Sequence, residues 1–423
     1  MHERCKTDRR YRYVLAGVPR KRWPLELQTV EAQPTAPAAV ESQAKPLRSP
    51  CIHLGKRRLP PADPLGVACH CPAREVWNCD IHGACTRGVK YPGVACCAPG
   101  QCNEYDAGNQ DESGADEVAR ALDRIAGPER PHDNHRTWCQ SPAVQRAHTI
   151  AYRQFLDQLP PYPGDRAGRG YIVIGGGKYA AGVYLSIRML REVGSDLPVQ
   201  VWHRGEAEPV PARVRELPGV TVVDAEAHPA RSTWRVLGGW QLKMIAGLWS
   251  GFRQWIFSDA DNYAVANPEP LFDSPTGAVI WPDIASNDGG VKWASYGVER
   301  PAVDRGTNGG SAVFDAERCW RALWLAHWFD MHSEFYYKPE WGVGGYGDQD
   351  QVRAAFHITG APYTLPNDRP RVRRGIFIQN GLDGQPVFVH RIHDKPNPRR
   401  FNRKDRGLPL EETAHRLLAE FRS

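Results

Sequence analysis

The chain has 423 residues, with 54 Lys and Arg against 48 Asp and Glu and a formal net charge of +6. That length suits two or three domains of about 100–200 residues each, and a charge so near balance gives no reason to expect a nucleic-acid partner. Forty Gly and 36 Pro exceed the globular norm, so some segments must carry the excess, while 14 Trp and a hydrophobic fraction of 41% can fill a sizeable core.

Residues 1–50 are basic at first and then Ala/Pro/Gln-rich, without apolar periodicity, and read as a disordered tail. No run reaches the roughly 18 apolar residues that span a bilayer, so neither secretion nor a transmembrane segment is expected. Residues 51–103 hold ten soft or borderline ligands: Cys51, His53, Cys69, Cys71, Cys79, His82, Cys85, Cys96, Cys97 and Cys102. Zinc takes four such ligands in a closed tetrahedral site, so a zinc module with one or two ions is expected. Disulfides and an iron–sulfur centre stay open as alternatives, and a reducing cytoplasm favours the metal. Residues 104–140 are acidic and read as a solvated linker with one short helix.

From residue 141 the composition becomes that of a packed domain, extending to residue 398. SPAVQRAHTIAYRQFLDQLPPYPG has a Ser-Pro start, apolar spacing and a Pro/Gly stop, which predicts a lead-in helix. YIVIGGGKY predicts a buried strand entering a glycine turn, and VYLSIRMLREVG an amphipathic helix ending at Gly194. PVQVWH, VTVVDA, QWIFSDAD and GAVIWPD read as further strands, with WQLKMIAGLWSG as a helix between the second and third of these. Strands alternating with helices predict an α/β fold with a mostly parallel sheet flanked by helices. Residues 399–423 read as a basic C-terminal tail with a short helix.

The turn at Gly175, Gly176 and Gly177 fits the G-x-G-x-x-A dinucleotide pattern, but the second strand ends in His203 rather than in an acidic residue for a ribose. What survives is a strand-to-helix turn whose backbone N–H groups can approach a nucleotide. An NAD-binding oxidoreductase therefore stays open as an alternative.

Asp259 and Asp261 stand one residue apart at the mouth of an apolar strand, where alternation sends both side chains to the same side. Hard cations such as Mg²⁺ or Mn²⁺ take carboxylate oxygens and keep positions for substrate phosphates, so the pair points to activation of a diphosphate leaving group. A phosphatase in which the first Asp is a nucleophile fits less well, because Tyr263 stands where that pattern has Thr or Val and the motif lies on the fourth strand.

The ordered set of a Gly-rich first turn, L-P-x-x-V-W, W-x-L-K, D-A-D-N, P-x-x-L-F-D-S and W-P-D resembles the α-mannosyltransferase family of fungal Golgi enzymes, glycosyltransferase family 71, and its bacterial relatives. The resemblance covers about residues 169–398. It implies a GT-A fold, a nucleotide-diphospho-sugar donor such as GDP-mannose, a glycan or other hydroxyl acceptor, Mn²⁺ or Mg²⁺, and transfer with retention. It also implies that His390 completes the metal site with Asp259 and Asp261, with His393 as the alternative ligand. Lys243 and Lys395 would contact the diphosphate, and Asn308, Gly309, Gly310 and Gln349 would line the donor beside the glycine turn. Asp348 and Asp350 would orient the donor sugar or help deprotonate the acceptor. Fungal members are membrane-anchored; for this chain a cytoplasmic location is expected, with basic ends able to touch an anionic membrane surface. A non-catalytic GT-A scaffold acting as a binding protein is the remaining alternative, opposed by the intact acidic motifs.

Overall fold

The computed structural model describes residues 111–126, 141–283, 291–302, 304–337, 348–367, 371–373, 376–392, 395–398 and 407–422, together with the short strands Gln28–Val30 (β1), Ile52–Leu54 (β2), Arg57–Leu59 (β3), Val76–Asn78 (β4) and Asn103–Tyr105 (β5). Of the ten expected zinc ligands only His53, on β2, falls among these residues; the eight cysteines and His82 named above lie outside them, as does His393.

Period-two alternation organises the domain. Ala167–Ile174 (β6), Val199–His203 (β7), Val220–Asp224 (β8) and Phe252–Asp259 (β9) run parallel in the order β8-β7-β6-β9. Asn262–Ala264 (β10) leaves this sheet, while Ala278–Pro282 (β11), Thr307–Asp315 (β12) and Tyr363–Leu365 (β13) extend it as β9-β12-β11-β13, with β1 outside β13. β12 is antiparallel to both its neighbours, and β11 and β13 are parallel. The expected α/β class with a largely parallel sheet is therefore found.

Along β6, Ile172 and Ile174 face one apolar layer and Tyr171 and Val173 the other. The first layer is closed by Asp111–Ala126 (α1), Pro142–Gln158 (α2), Leu242–Trp249 (α5), Ala316–Met331 (α6) and Asp348–Thr359 (α8); the second is closed by Ala180–Glu192 (α3). Ala212–Arg215 (α4) and Ser333–Tyr336 (α7) are single turns. A second, antiparallel sheet of order β10-β16-β15-β14 uses Arg371–Arg373 (β14), Ile376–Asn380 (β15) and Pro386–His390 (β16). It packs Tyr263, Ile378 and Val389 against the outer face of α3 and against Glu411–Arg422 (α9).

Two expectations change. The acidic segment 104–140 is not simply solvated, because Val118, Ala121 and Ile125 of α1 join the main core. The C-terminal helix is likewise docked, through Ala414, Leu417 and Leu418. Both helices are amphipathic, and it is their apolar stripe rather than their net charge that decides where they lie.

Histidines inside the first layer give the fold an acid-sensitive element. His332 stacks on Trp328 with ring centroids 3.9 Å apart, His148 stacks on Phe335 at 3.7 Å, and His327 meets Trp249 at 5.2 Å. Burial pushes His327 down to about 3 and His332 down to about 4, so both are neutral in the fold. The unfolded chain takes up these protons below its ordinary value near 6.5, so stability present above that pH is lost as pH falls toward the folded-state values. Denaturant unfolding at pH 7 and pH 5 is expected to show a loss of about 2 kcal/mol per buried histidine. His327→Leu should flatten the profile by that amount, and an unchanged profile would refute the assignment.

Candidate functional site

The site lies at the carboxyl ends of the parallel strands, where open α/β sheets leave a crevice. Ile174, the last residue of β6, pairs with Asp259, the last residue of β9. The chain then turns through Ala260 and Asp261 and enters the second sheet, where Asn262 pairs with His390. The two-sheet junction thus places the acidic pair opposite the end of β16, and the backbone N–H of Arg391 donates to the carbonyl of Asp261 at 2.8 Å. One ligand atom from each of Asp259, Asp261 and His390 lies within 4.8 Å of the others.

The tautomer of His390 follows from its surroundings. Asn308 Oδ1 accepts the backbone N–H of Gly310 at 3.1 Å and Gln379 Nε2 at 3.2 Å. A backbone N–H can only donate, so this atom is the amide oxygen and His390 Nδ1, 2.9 Å away, must carry the proton it offers. In the neutral ring, the form that ligates a metal, the lone pair of Nε2 is then directed at Asp261 Oδ1, 3.3 Å away. Two electron-rich atoms facing each other call for positive charge between them, and a neutral imidazole with two carboxylates is a donor set suited to Mn²⁺ or Mg²⁺. The residues present therefore fit the expected cation. Gly310 makes room for this ring, since a Cβ there would meet His390 Nδ1 at 2.3 Å.

Cationic side chains flank the acids. Lys243 Nζ, at the start of α5, contacts Asp259 Oδ1 at 3.0 Å, Asp348 Oδ2 at 2.9 Å and the carbonyl oxygen of Gly309 at 2.9 Å. Burial alone would lower the Lys243 pKa, but the charges of Asp259 and Asp348 raise it above the ordinary lysine value, so the ammonium is retained. Lys395 pairs with Asp261 Oδ2 and is 57% exposed, which leaves it free to exchange this partner for a phosphate oxygen. Burial raises Asp259 to about 6, against the pull of Lys243. Burial acts upward on Asp261 as well, yet a charged His390 ring, donating from Nε2 where no cation intervenes, together with Lys395, holds it well below the usual carboxylate range. The two acids thus sit in opposed electrostatic settings one residue apart.

Other expected residues take different places. Asp348 and Gln349 line the cavity beside Lys243; Gln349 Oε1 accepts from the Gly309 N–H at 3.2 Å and ties α8 to β12. Asn308 is 5% exposed and holds His390 Nδ1, so besides lining the cavity next to Gly309 it fixes the orientation of that ring. Asp350 is 1% exposed and pairs with Arg353 at 2.9 Å, while Arg353 also reaches Asp304. The catalytic expectation for Asp350 is corrected: a pairing one helical turn along α8 turns it into the fold, where its charge serves Arg353. At the glycine turn, the N–H of Gly175 donates to Trp202 and that of Gly177 to Pro209, at 2.9 and 2.8 Å. Two of the amides a dinucleotide would need are thus engaged within the chain, and Gly176 is accounted for by packing, since a Cβ would lie 2.0 Å from the carbonyl oxygen of Glu208.

Gln379 is the residue that sequence reasoning missed. Its Oε1 accepts from Ser311 at 2.7 Å and from Asn262 at 2.9 Å while its Nε2 holds Asn308, so one buried amide joins the two sheets. The available signal is a polar side chain on the Phe377 face of the otherwise apolar strand IFIQN.

Residues 168–292, which carry Lys243, Asp259 and Asp261, match the sequence model of a family described as mannosyltransferases. The chain is 26% identical over 255 residues to the α-1,2-mannosyltransferase MNN5 of Saccharomyces cerevisiae, covering 46% of this chain and 44% of that protein. It is 26% identical over 272 residues to the α-1,2-mannosyltransferase MNN24 of Candida albicans, covering 52% and 38%. The chain thus spans less than half the length of these curated relatives. Among solved structures, the glycosyltransferase GlyE of Streptococcus pneumoniae TIGR4 is similar with a TM-score of 0.37 at 14% identity, over 61% of this chain and 63% of that one.

Mn²⁺ is expected to raise the melting temperature of the protein in a concentration-dependent way. Asn308→Ala and Gly310→Ala should each weaken Mn²⁺ binding by about 10- to 100-fold in a calorimetric titration, the size usual for loss of a group that orients a metal ligand. Wild-type affinity in both variants would disprove the ligand geometry.

Proposed function

We propose that the chain is a metal-dependent glycosyltransferase with a GT-A fold that moves a sugar from a nucleotide-diphospho-sugar to an acceptor hydroxyl, with retention of configuration. The observation that carries this reading is the convergence of Asp259, Asp261 and His390 with Lys243 and Lys395 at the carboxyl ends of the strands. Similarity to mannosyltransferases over the segment that holds the acidic pair supports the sugar-transfer reading and makes GDP-mannose the first donor to test.

A bound Mn²⁺ or Mg²⁺ would supply Lewis-acid neutralisation of the diphosphate as it leaves. The chain's own residues provide the remainder. Lys395, exposed and paired with Asp261 from the outside, takes charge developing on the departing diphosphate, and this cation is the main electrostatic contribution from a side chain. Lys243 is held by three oxygens and keeps Asp259 and Asp348 at fixed separation. Asp348, at the start of α8, is placed to accept a hydrogen bond from a sugar hydroxyl and to draw a proton from the acceptor. Asp259, Asp261 and Asp348 are each tied to a lysine or histidine, which disfavours any of them as a covalent nucleophile and supports displacement on the face the leaving group vacates.

Incubation with GDP-mannose, UDP-glucose and UDP-galactose in the presence of Mn²⁺ is expected to release nucleoside diphosphate from one of them, slowly with water and faster with a glycan acceptor. Chelator should abolish release, Asp261→Asn should abolish the Mn²⁺-stimulated release, and Lys395→Ala should lower kcat by roughly 10²–10³-fold. Full turnover in chelator, or in Asp261→Asn, would sink the proposal.

A further inference from the structure

Beneath the Lys243–Asp348 pair a cavity of about 40 Å³ opens between α5, α6, α8 and the sheet. That exceeds the roughly 10–15 Å³ needed for one water molecule. Its walls are largely apolar, with Met244, Phe257, Ile280 and Val352 among them, yet Asp330 of α6 also lines it. Asp330 is 1% exposed. Tyr337 donates to its Oδ1 at 2.7 Å, whereas Oδ2 has no hydrogen-bond partner among the described residues. Leaving such an atom unsatisfied costs about 1–3 kcal/mol or more, and the hydrogen bond from Tyr337 accounts for only one of the two carboxyl oxygens. A leucine would fill the space and suit the neighbouring apolar side chains.

A buried polar atom kept at a cost beside a binding crevice is what a specificity contact looks like before its ligand arrives. Burial pushes Asp330 well above the usual carboxylate range, with Asp348 adding to the rise against Lys243, so the group is a neutral acid able both to donate and to accept. A sugar hydroxyl has the same dual character. The cavity also has a size and an apolar lining that suit a hydroxymethyl group, whose carbon needs contact and whose oxygen needs one partner.

Resting on the sugar-transfer reading above, we propose that the cavity receives a hydroxyl-bearing carbon of the transferred sugar and that Asp330 Oδ2 is its hydrogen-bond partner, which makes Asp330 a determinant of which sugar is accepted. Tyr337 is the positioning residue that turns the carboxyl group so that Oδ2 faces the space.

The test compares a sugar nucleotide with the nucleoside diphosphate lacking the sugar, by calorimetry with Mn²⁺ on the full chain: GDP-mannose against GDP, and UDP-glucose and UDP-galactose against UDP. Asp330→Leu is expected to weaken the accepted sugar nucleotide about tenfold or more, the worth of one buried hydrogen bond, while the nucleoside diphosphate binds within about twofold of wild type. Asp330→Asn retains donor and acceptor atoms and should stay within about threefold for both ligands, and it serves as the deciding variant against Tyr337→Phe if Asp330→Leu does not fold. Equal weakening of both ligands, or no weakening of either, would overturn the role of Asp330 while leaving sugar transfer intact. Binding of none of the three sugar nucleotides by wild-type protein would instead overturn the sugar-transfer reading, and this inference with it.

Discussion

One buried amide pair, Asn308 and Gln379, is the interaction on which the site depends. Asn308 lies on the large sheet and Gln379 on the small one, and their contact at 3.2 Å fixes the two sheets against each other where β9 passes into β10. Because Asn308 Oδ1 is already an acceptor for a backbone N–H, it can only receive a proton from His390, and this sets which nitrogen of the imidazole faces the acids. Buried polar networks of this kind specify one arrangement of a core, since a slip would separate the groups that pair across the two sheets. The requirement for Gly310 follows from the same contact, because the ring rests on backbone where a side chain would stand.

Around this node the charges are arranged to be balanced in more than one state. Asp259 and Asp348 share Lys243, which is buried, and Asp261 shares Lys395, which is largely exposed. The inner cation is a fixed part of the scaffold, and the outer one can be exchanged for a ligand without leaving a bare buried charge. Desolvation of paired charges is expensive, and breaking such a pair from one side more so. That cost explains why the acids of this crevice are matched with cations, and why Asp350, facing inward, is matched with Arg353.

The strands and helices of the domain were readable in the sequence because burial on both faces writes long apolar runs, as in YIVI and QWIF, and because glycine and proline mark their ends. The acidic pair was readable from its position at the mouth of such a run, and His390 and Lys395 through family resemblance. The second sheet and the docking of α1 and α9 were not, since β10 pairs with β16 and α9 packs on α3 only across long stretches of intervening chain, and α1 is held by apolar contacts that its acidic composition hides. Asn308 illustrates the limit: T-N-G-G reads as a small-residue strand that a sugar can approach, and only the fold shows that the Asn also holds a histidine at the end of β16. Asp350 was misread for a local reason, because Arg353, three residues on, already supplied an ordinary partner. Asp330 carries no motif at all; it becomes conspicuous once it is seen to line a cavity walled by Met244, Phe257, Ile280 and Val352 of other elements.

The central claim, that Asp259, Asp261 and His390 hold a single divalent cation at the sheet junction, is tested most directly by pulsed electron paramagnetic resonance of the Mn²⁺-loaded protein. The account predicts one tightly bound Mn²⁺ with hyperfine coupling to a single imidazole nitrogen, and loss of that coupling in His390→Gln. Tightly bound Mn²⁺ without nitrogen coupling, or coupling that persists in His390→Gln, would contradict it.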